Sequence, residues 1–251
     1  MASPTPYHQL LQTMRQDGAR PLVTFYDDST GERVELSVTT FDNWVTKTVG
    51  LLTEGLDLEP GSVCKVLLPS HWQTLVWACA CWTTGVELAL GPLRIDEEMP
   101  DAIVTGPVDI ESISANAGTA PVVACSLRPL GGRFVEPLPD GVFDYAVEAP
   151  TYPDQLVMPP EADPAAPAMR ADGVSTTAGG LVQRGADRAA ELGLSSGERV
   201  LVAADEPAPA LLDALLVPLA VDGSAVLVRH ADPASMAQRS EQEHVDLQLP
   251  A

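Results

Sequence analysis

The stretch 63–90, VCKVLLPSHWQTLVWACACWTTGVELAL, decides the fold class. It opens and closes with short apolar segments, Val63–Leu68 and Val86–Leu90, which are typical of buried strands. Between them, apolar side chains recur at the i, i+3, i+4 and i+7 spacing of one helix face, and Gly85 ends the pattern. Those side chains are Trp72, Leu75, Val76 and Cys79. A strand, a helix and a strand with short links form a βαβ unit, so we predict an α/β fold with a mainly parallel sheet flanked by helices.

The residues before this unit predict a helix, a hairpin and a second helix. Pro6 stands at the first position of an amphipathic helix. Leu22–Tyr26 and Arg33–Leu36 flank a turn-forming DSTG segment and predict a hairpin. Thr39 and Asp42 have the spacing of a capping box at the start of the second helix. The α/β pattern therefore extends to the amino-terminal region.

Beyond the unit the alternation continues, weakens and then returns. Ala102–Thr105 and Val122–Cys125, with a helix between them, predict another βαβ unit. In the Pro-rich part that follows, only Phe143–Val147 has the pattern of an edge strand. Regularity returns with a predicted helix from about Ser175 to Leu192. The next predicted elements are the strand Arg199–Ala203, the helix Ala208–Val221, the strand Ser224–Arg229 and a last helix after Asp232-Pro233.

This pattern divides the chain into three predicted regions. Residues 1–125 form an amino-terminal α/β subdomain, and residues 126–171 form a Pro-rich connecting segment. Residues 172–251 form a second α/β subdomain that packs on the first. The acidic run Asp96-Glu97-Glu98 is predicted to be a solvated loop.

Composition limits the classes of partner. The 251 residues carry a formal net charge of −21, from 14 basic and 35 acidic side chains, so nucleic acid and anionic membrane surfaces are excluded as expected partners. No apolar run reaches the roughly 18 residues of a membrane span, and the amino terminus lacks the features of a signal peptide. We therefore predict a cytoplasmic protein. The four cysteines have neither a zinc-site nor a disulfide-framework spacing, so we predict buried thiols and no metal site.

One segment resembles part of a nucleotide-phosphate motif but lacks the residues that would bind the phosphate. Residues 173–181, GVSTTAGGL, resemble the helix that follows a nucleotide-phosphate loop. The preceding residues 163–172, DPAAPAMRAD, contain no glycine and end in Asp172 where a lysine is expected. A phosphate cradle needs closely approaching backbone N–H groups and a nearby cation. This segment therefore argues against binding a nucleotide phosphate tightly.

Two blocks of sequence resemble the adenylate-forming acyl-CoA synthetases and their adenylation-domain relatives. The first contains GLDLEPGSV (55–63), LLPS (67–70) and GVELAL (85–90). The second contains GVSTTAGGL (173–181), LGLSSGERVL (192–201) and LLVPLAVDGSAVL (215–227). The order of these motifs and the separations between them agree with those of the family over about residues 20–95 and 172–230. The chain is also similar to short proteins that match only the amino-terminal part of these enzymes, which implies that 251 residues are a complete protein.

The departures from this resemblance concern catalysis. Ala178 stands where the family has a histidine, and Asp205-Glu206-Pro207 stand where the family has a substrate-pocket aromatic residue and a histidine. The family's later motifs would begin after about residue 250, and its carboxy-terminal lid with the catalytic lysine is absent. Adenylation needs cations preorganised around the α-phosphate, whereas Asp172 adds repulsion. We therefore predict no catalytic residues and no cofactor.

A relic phosphate site is the one ligand site that these motifs suggest. It would consist of Gly173, Ser175, Thr176 and Thr177, because helix N-termini attract anions. The same hydroxyl side chains are also ordinary helix caps, which is the simpler interpretation. His71 lies at the start of the Trp72 helix, where capping or solvent contact is the expected role rather than catalysis.

Three hypotheses of function follow. The first is a catalytically degenerate relative of AMP-binding acyl-CoA synthetases that acts as a non-catalytic binding or assembly protein. The second is an acid–thiol ligase completed by another chain, and the third is an acyl or nucleotide binder without turnover. The apolar segments 211–217 and 225–228 would be exposed without later elements to cover them, so we predict a homodimer or another protein partner.

Overall fold

The computed structural model describes residues 5–94, 98–156 and 163–249. Their longer helices are α1 (Pro6–Asp17), α2 (Val38–Gly50), α3 (Trp72–Thr84), α4 (Ile110–Asn116), α5 (Tyr145–Glu148), α6 (Ala178–Glu191), α7 (Pro207–Leu211), α8 (Val217–Val221) and α9 (Pro233–Gln242). The strands are β1 (Pro21–Asp27), β2 (Glu32–Ser37), β3 (Val63–Leu67), β4 (Glu87–Ala89), β5 (Ala102–Thr105), β6 (Val122–Ala124), β7 (Val142–Asp144), β8 (Pro167–Ala171), β9 (Val174–Thr177), β10 (Arg199–Ala203), β11 (Ser224–Arg229) and β12 (Leu247–Gln248). Asp96 and Glu97 of the predicted acidic loop lie outside the described residues.

The strands form two sheets. One has the order β7-β6-β5-β3-β4-β8-β9 and is parallel except for the β8–β9 pair. The other has the order β12-β10-β11-β1-β2 and is parallel except for the β1–β2 pair. The predicted α/β class with mainly parallel strands is confirmed.

The sheets do not follow the predicted regional boundaries. Strands β1 and β2, from the region 1–125, pair with the carboxy-terminal β10 and β11. Strands β8 and β9, which span the predicted boundary at 171, complete the sheet of the amino-terminal region. The division into two subdomains remains a prediction about folding units. Each sheet contains strands from both predicted subdomains.

Helix α3 explains how the two sheets share one core. Every residue from Trp72 to Thr84 is buried, including all three of its tryptophans, as expected for a helix that is apolar on all sides. The main core contains alternate residues of both sheets, such as Val66 and Leu227, together with helices α1, α2 and α3. The opposite sheet faces are covered by smaller clusters around Met236 of α9 and Ala117 after α4. The four cysteines are free and buried, as predicted.

Several local predictions were wrong at helix boundaries. Helix α2 begins at Val38, because the Ser37 hydroxyl accepts the backbone N–H of Thr40 at 3.1 Å, so the predicted Thr39 capping box does not form. Residues 174–177 form strand β9, and the helix predicted from Ser175 begins at Ala178. The predicted edge strand at 143–147 is β7 followed at once by the short helix α5.

The apolar surface that predicted a partner is buried within the chain. Leu211, Leu215 and Val217 have no exposed surface, and the same holds for the strand residues Ala225–Val228. Helix α6 packs over the 207–221 helical segment, and α9 covers the outer face of β11. Tyr145 of the connecting segment instead packs on α2 and α3, where its hydroxyl lies 2.7 Å from the Thr48 hydroxyl. Among the described residues, no helix has both the length and the apolar composition needed to cross a bilayer.

Candidate functional site

The segment that resembles a phosphate loop is a tight hairpin. Strands β8 and β9 pair so that Ala171 lies opposite Val174, leaving two residues in the turn. These residues, Asp172 and Gly173, have positive φ values of 50° and 77°, the backbone that a type I′ turn requires. Asp-Gly is a favoured sequence for this turn because both residues tolerate positive φ. The hairpin therefore has no room for a loop that could wrap around a phosphate.

The cation of this hairpin is already bound by an acid. The Arg170 guanidinium forms an ion pair and two hydrogen bonds with the Glu87 carboxylate on β4. The Ser175 hydroxyl donates to the same carboxylate at 2.8 Å. Glu87 is buried, and these two donors compensate its negative charge. Arg170 and Ser175 therefore stabilise a buried carboxylate and are not positioned for an incoming anion.

The predicted relic phosphate residues are separated by this geometry. Gly173 lies in the turn, and Ser175 points to Glu87. Thr177 caps α6 by accepting the Gly180 N–H at 3.1 Å, which confirms the helix-cap interpretation for this residue. A pocket of about 490 Å³ does lie beside Gly173 and Ser175, and it is lined by Glu98 as well as by cationic side chains. Phosphate binding there stays a prediction.

A larger crevice, called here the carboxyl-edge crevice, lies where the carboxyl ends of the strands of both sheets meet. Its volume is about 780 Å³. The ends of β3, β5 and β6 supply apolar wall residues, and Asp205 to Pro207 enter from the end of β10. Ligands of open α/β sheets bind outside the carboxyl ends of the strands, so the position favours a binding site. The wall residues include Val66, Leu67, Leu68, Pro69, Pro107 and Leu127.

An aspartate–histidine pair stands at the mouth of this crevice. Asp27 ends β1, His230 follows β11, and these two strands are paired in parallel. His230 Nδ1 lies 2.9 Å from Asp27 Oδ1, which also accepts the Ser29 hydroxyl at 2.6 Å and the Ser29 backbone N–H at 2.9 Å. Burial acts to raise the pKa of Asp27, but the hydrogen bonds from Ser29 and His230 outweigh it and hold the pKa below its usual value. Asp27 is therefore a carboxylate at neutral pH.

The backbone of His230 is fixed as firmly as its ring. Its φ is 50°, a left-handed conformation that non-glycine residues seldom adopt. The His230 N–H donates to Asp205 Oδ1 at 2.7 Å, while the Asp205 carbonyl accepts the Ser70 N–H at 3.0 Å. Asp205 thus connects the end of β11 to the loop after β3, in the other sheet. The crevice has a preorganised polar end and apolar walls.

Beneath the crevice, several buried polar atoms have no hydrogen-bond partner among the described residues. They are His71 Nε2, Glu32 Oε1, Ser70 Oγ and Arg229 Nε. His71 Nε2 lies 3.8 Å from Glu32 Oε2, too far for a hydrogen bond. Burial lowers the pKa of His71, and the Glu32 carboxylate opposes this shift. His71 Nδ1 accepts the Gln73 N–H at 3.2 Å, so the predicted capping role is confirmed.

One part of this crevice was predicted from the sequence and the other was not. Residues 205–207 stood out by resemblance, and they do line the crevice. Asp27, Arg229 and His230 did not stand out. A signal existed, because each lies at or just after the end of a predicted strand, and carboxyl ends of parallel strands meet at one edge. Among the described residues, no group of three His, Cys, Asp or Glu side chains could hold a metal ion.

The chain resembles a curated protein over nearly all of its length. It is 37% identical over 233 residues to a protein of Mycobacterium tuberculosis described as a "TIGR03089 family protein", covering 92% of each chain. The chain belongs to the TIGR03089 family. No protein-family model matches it.

The fold of this family member is that of an acyl-CoA synthetase domain. This chain matches a crystal structure of the N-terminal domain of FACL13 from Mycobacterium tuberculosis, with a TM-score of 0.74 over 98% of this chain and 13% identity. FACL13 is an acyl-CoA synthetase, so the predicted resemblance to the amino-terminal part of these enzymes is confirmed at the level of fold. The chain spans 62% of the length of that structure.

Proposed function

We propose that this protein is a catalytically degenerate relative of AMP-binding acyl-CoA synthetases, a cytoplasmic pseudoenzyme that binds a small molecule in the carboxyl-edge crevice without adenylating it. The observation that supports this proposal is the β8–β9 hairpin, which closes through Asp172 and Gly173 alone. A site for phosphoryl or adenylyl transfer must offer several N–H donors and cations to the developing negative charge. This hairpin offers a carboxylate at its tip and a guanidinium that Glu87 has already engaged.

The test is a measurement of adenylation and of nucleotide binding. We expect no acid-dependent ATP–pyrophosphate exchange with fatty, aromatic or amino acids. We expect magnesium-ATP to bind with a Kd above about 1 mM by calorimetry, a binding free energy weaker than roughly −4 kcal/mol. Exchange that disappears in Arg170 or Thr177 variants, or micromolar ATP affinity, would overturn the proposal and favour a ligase completed by another chain.

A pair of variants tests the reason for weak binding. Glu87→Gln leaves the Arg170 guanidinium without its acidic partner, so ATP affinity is expected to rise several-fold. Glu35→Gln removes the same charge from an exposed ion pair with Arg33, on β2 of the other sheet, and should leave ATP affinity unchanged. Equal effects of both variants would show that overall charge, and not the engaged arginine, limits binding.

Assembly with a second copy or with another protein stays part of this proposal, on different grounds from those of the sequence. The helical residues Leu211 to Val217 cannot be the contact surface, because most of them are buried. Exposed apolar side chains occur instead in the connecting segment, where Leu130, Val135 and Phe143 are accessible. Light scattering that gives the mass of a monomer, with no partner retained in copurification, would contradict assembly.

A further inference from the structure

The carboxyl-edge crevice has one polar group whose hydrogen-bonding role is fixed by its neighbours. Asp27 is a carboxylate, so the contact at 2.9 Å requires the proton on His230 Nδ1. In the neutral imidazole this leaves the lone pair on Nε2, which acts as an acceptor. Nε2 has no hydrogen-bond partner among the described residues, and the His230 side chain is 41% exposed at the crevice. A ligand that binds next to His230 must therefore supply a hydrogen-bond donor.

The charges around this acceptor exclude an acidic ligand. Asp27, Asp205 and Glu206 all line the same crevice. The only guanidinium in the described lining is Arg229, whose Nη1 lies 3.6 Å from Asp27 Oδ2 and is directed at that carboxylate. A ligand carboxylate would therefore meet three acids and one engaged cation, in a chain with a net charge of −21.

The remaining walls accept an uncharged apolar body. The ends of β3, β5 and β6 contribute Leu67, Leu68, Pro107 and Leu127. A space of about 780 Å³ is within the usual range for a small-molecule pocket. An alkyl chain that packs against these side chains is removed from water, which favours binding.

We propose that the crevice binds a neutral alcohol or phenol, with its apolar body against the strand ends and its hydroxyl donating to His230 Nε2. Asp27 orients the imidazole and Asp205 holds the His230 backbone, so little ordering is needed when the ligand binds. This inference rests on the proposed function, since it names the ligand class of the same crevice. It reverses the preference expected of an enzyme that activates acids.

The experiment compares two probes of equal chain length, 1-octanol and octanoate, at pH 8 where the acid is ionised. Binding is followed by the backbone ¹H–¹⁵N shifts of the crevice residues, with His230, Gly91 and Gly106 as reporters. We expect octanol to shift these signals saturably and octanoate to bind at least tenfold more weakly. Octanoate binding as tightly as octanol, or neither probe binding, would overturn the inference without requiring any variant.

A variant pair then tests the histidine itself. His230→Phe keeps an aromatic ring but removes the acceptor, and octanol binding is expected to weaken about tenfold. His244→Phe is the matched control, because His244 also has a positive φ, of 52°, but lies outside the crevice lining. Unchanged octanol affinity in His230→Phe would overturn the inference. Adenylate formation from octanoate is measured separately, so it contradicts the proposed function whatever the octanol result.

Discussion

The β8–β9 hairpin and the carboxyl-edge crevice differ in what their charged side chains are available to do. In the hairpin, Arg170 and Ser175 both donate hydrogen bonds to Glu87. In the crevice, Asp27 also accepts hydrogen bonds from its neighbours, but Nε2 of His230 stays available to a ligand. The sequence resemblance pointed to the hairpin and, in the crevice, only to residues 205–207, yet the crevice is the better-prepared site. A sequence motif shows where in the fold a site lies, but the side chains around it determine whether its polar groups are available to a ligand.

The largest expected effect comes from removing the carboxylate that organises the crevice. Asp27→Ala leaves His230, Arg229 and the Ser29 donors without their acceptor. Asp27 is buried but its donors are partly exposed, so its removal should cost about 1–3 kcal/mol. Ser175→Ala in the hairpin loses one partly exposed hydrogen bond and should cost less than about 1 kcal/mol. Urea unfolding of both variants measures the difference, and equal losses would remove the contrast between the regions.

The second prediction concerns pH and the buried polar atoms under the crevice. The pKa of His71 is lowered by burial; Arg229 lowers it further, while the carboxylates of Glu32 and Asp27 oppose the shift. The folded state therefore keeps His71 neutral where the unfolded chain, with a pKa of about 6.5, takes up a proton. The free energy of unfolding should fall as pH decreases below about 6.5, by at most about 1.4 kcal/mol per pH unit from this group.

His71→Asn separates this contribution from those of the other histidines. Asparagine can still cap α3 at this position, but it does not titrate. The variant should lose part of the pH dependence between pH 6.5 and 5, while His244→Asn should retain it. An unchanged pH profile in His71→Asn would mean that folding does not shift the pKa of His71, which would contradict this prediction.

The smallest expected effect tests the tight turn of the hairpin. Gly173 has a φ of 77°, and no heavy atom lies within 4 Å of the position of an added Cβ. Gly173→Ala should therefore cost only the backbone term, about 1 kcal/mol. Gly179→Ala in helix α6 is a contrasting site without a positive φ, where the carbonyl oxygen of Pro164 lies 3.1 Å from the added Cβ. A neutral Gly173→Ala result in thermal unfolding would indicate a looser loop than the structure shows.

Much of the fold could be predicted from the sequence because its signals are local. The hairpin of β1 and β2, the all-buried α3 and its Gly85 terminus follow from periodicity and turn residues. The start of α6 could not be predicted, since Ser175 to Thr177 fit a helix cap and a strand equally well. Pairing with β8, across the Asp172-Gly173 turn, made them a strand.

By itself, the sequence determined the α/β class, the acidic surface and the loss of the glycine-rich phosphate loop, because each depends on residue types in one short segment. Only the tertiary structure decided that β1 and β2 join the carboxy-terminal strands and that the apolar residues 211–217 are largely covered within the chain. It also brought Asp27 within 2.9 Å of His230, two residues separated by 203 positions. Contacts between distant segments depend on strand order and sheet packing, and a local pattern of residues contains neither.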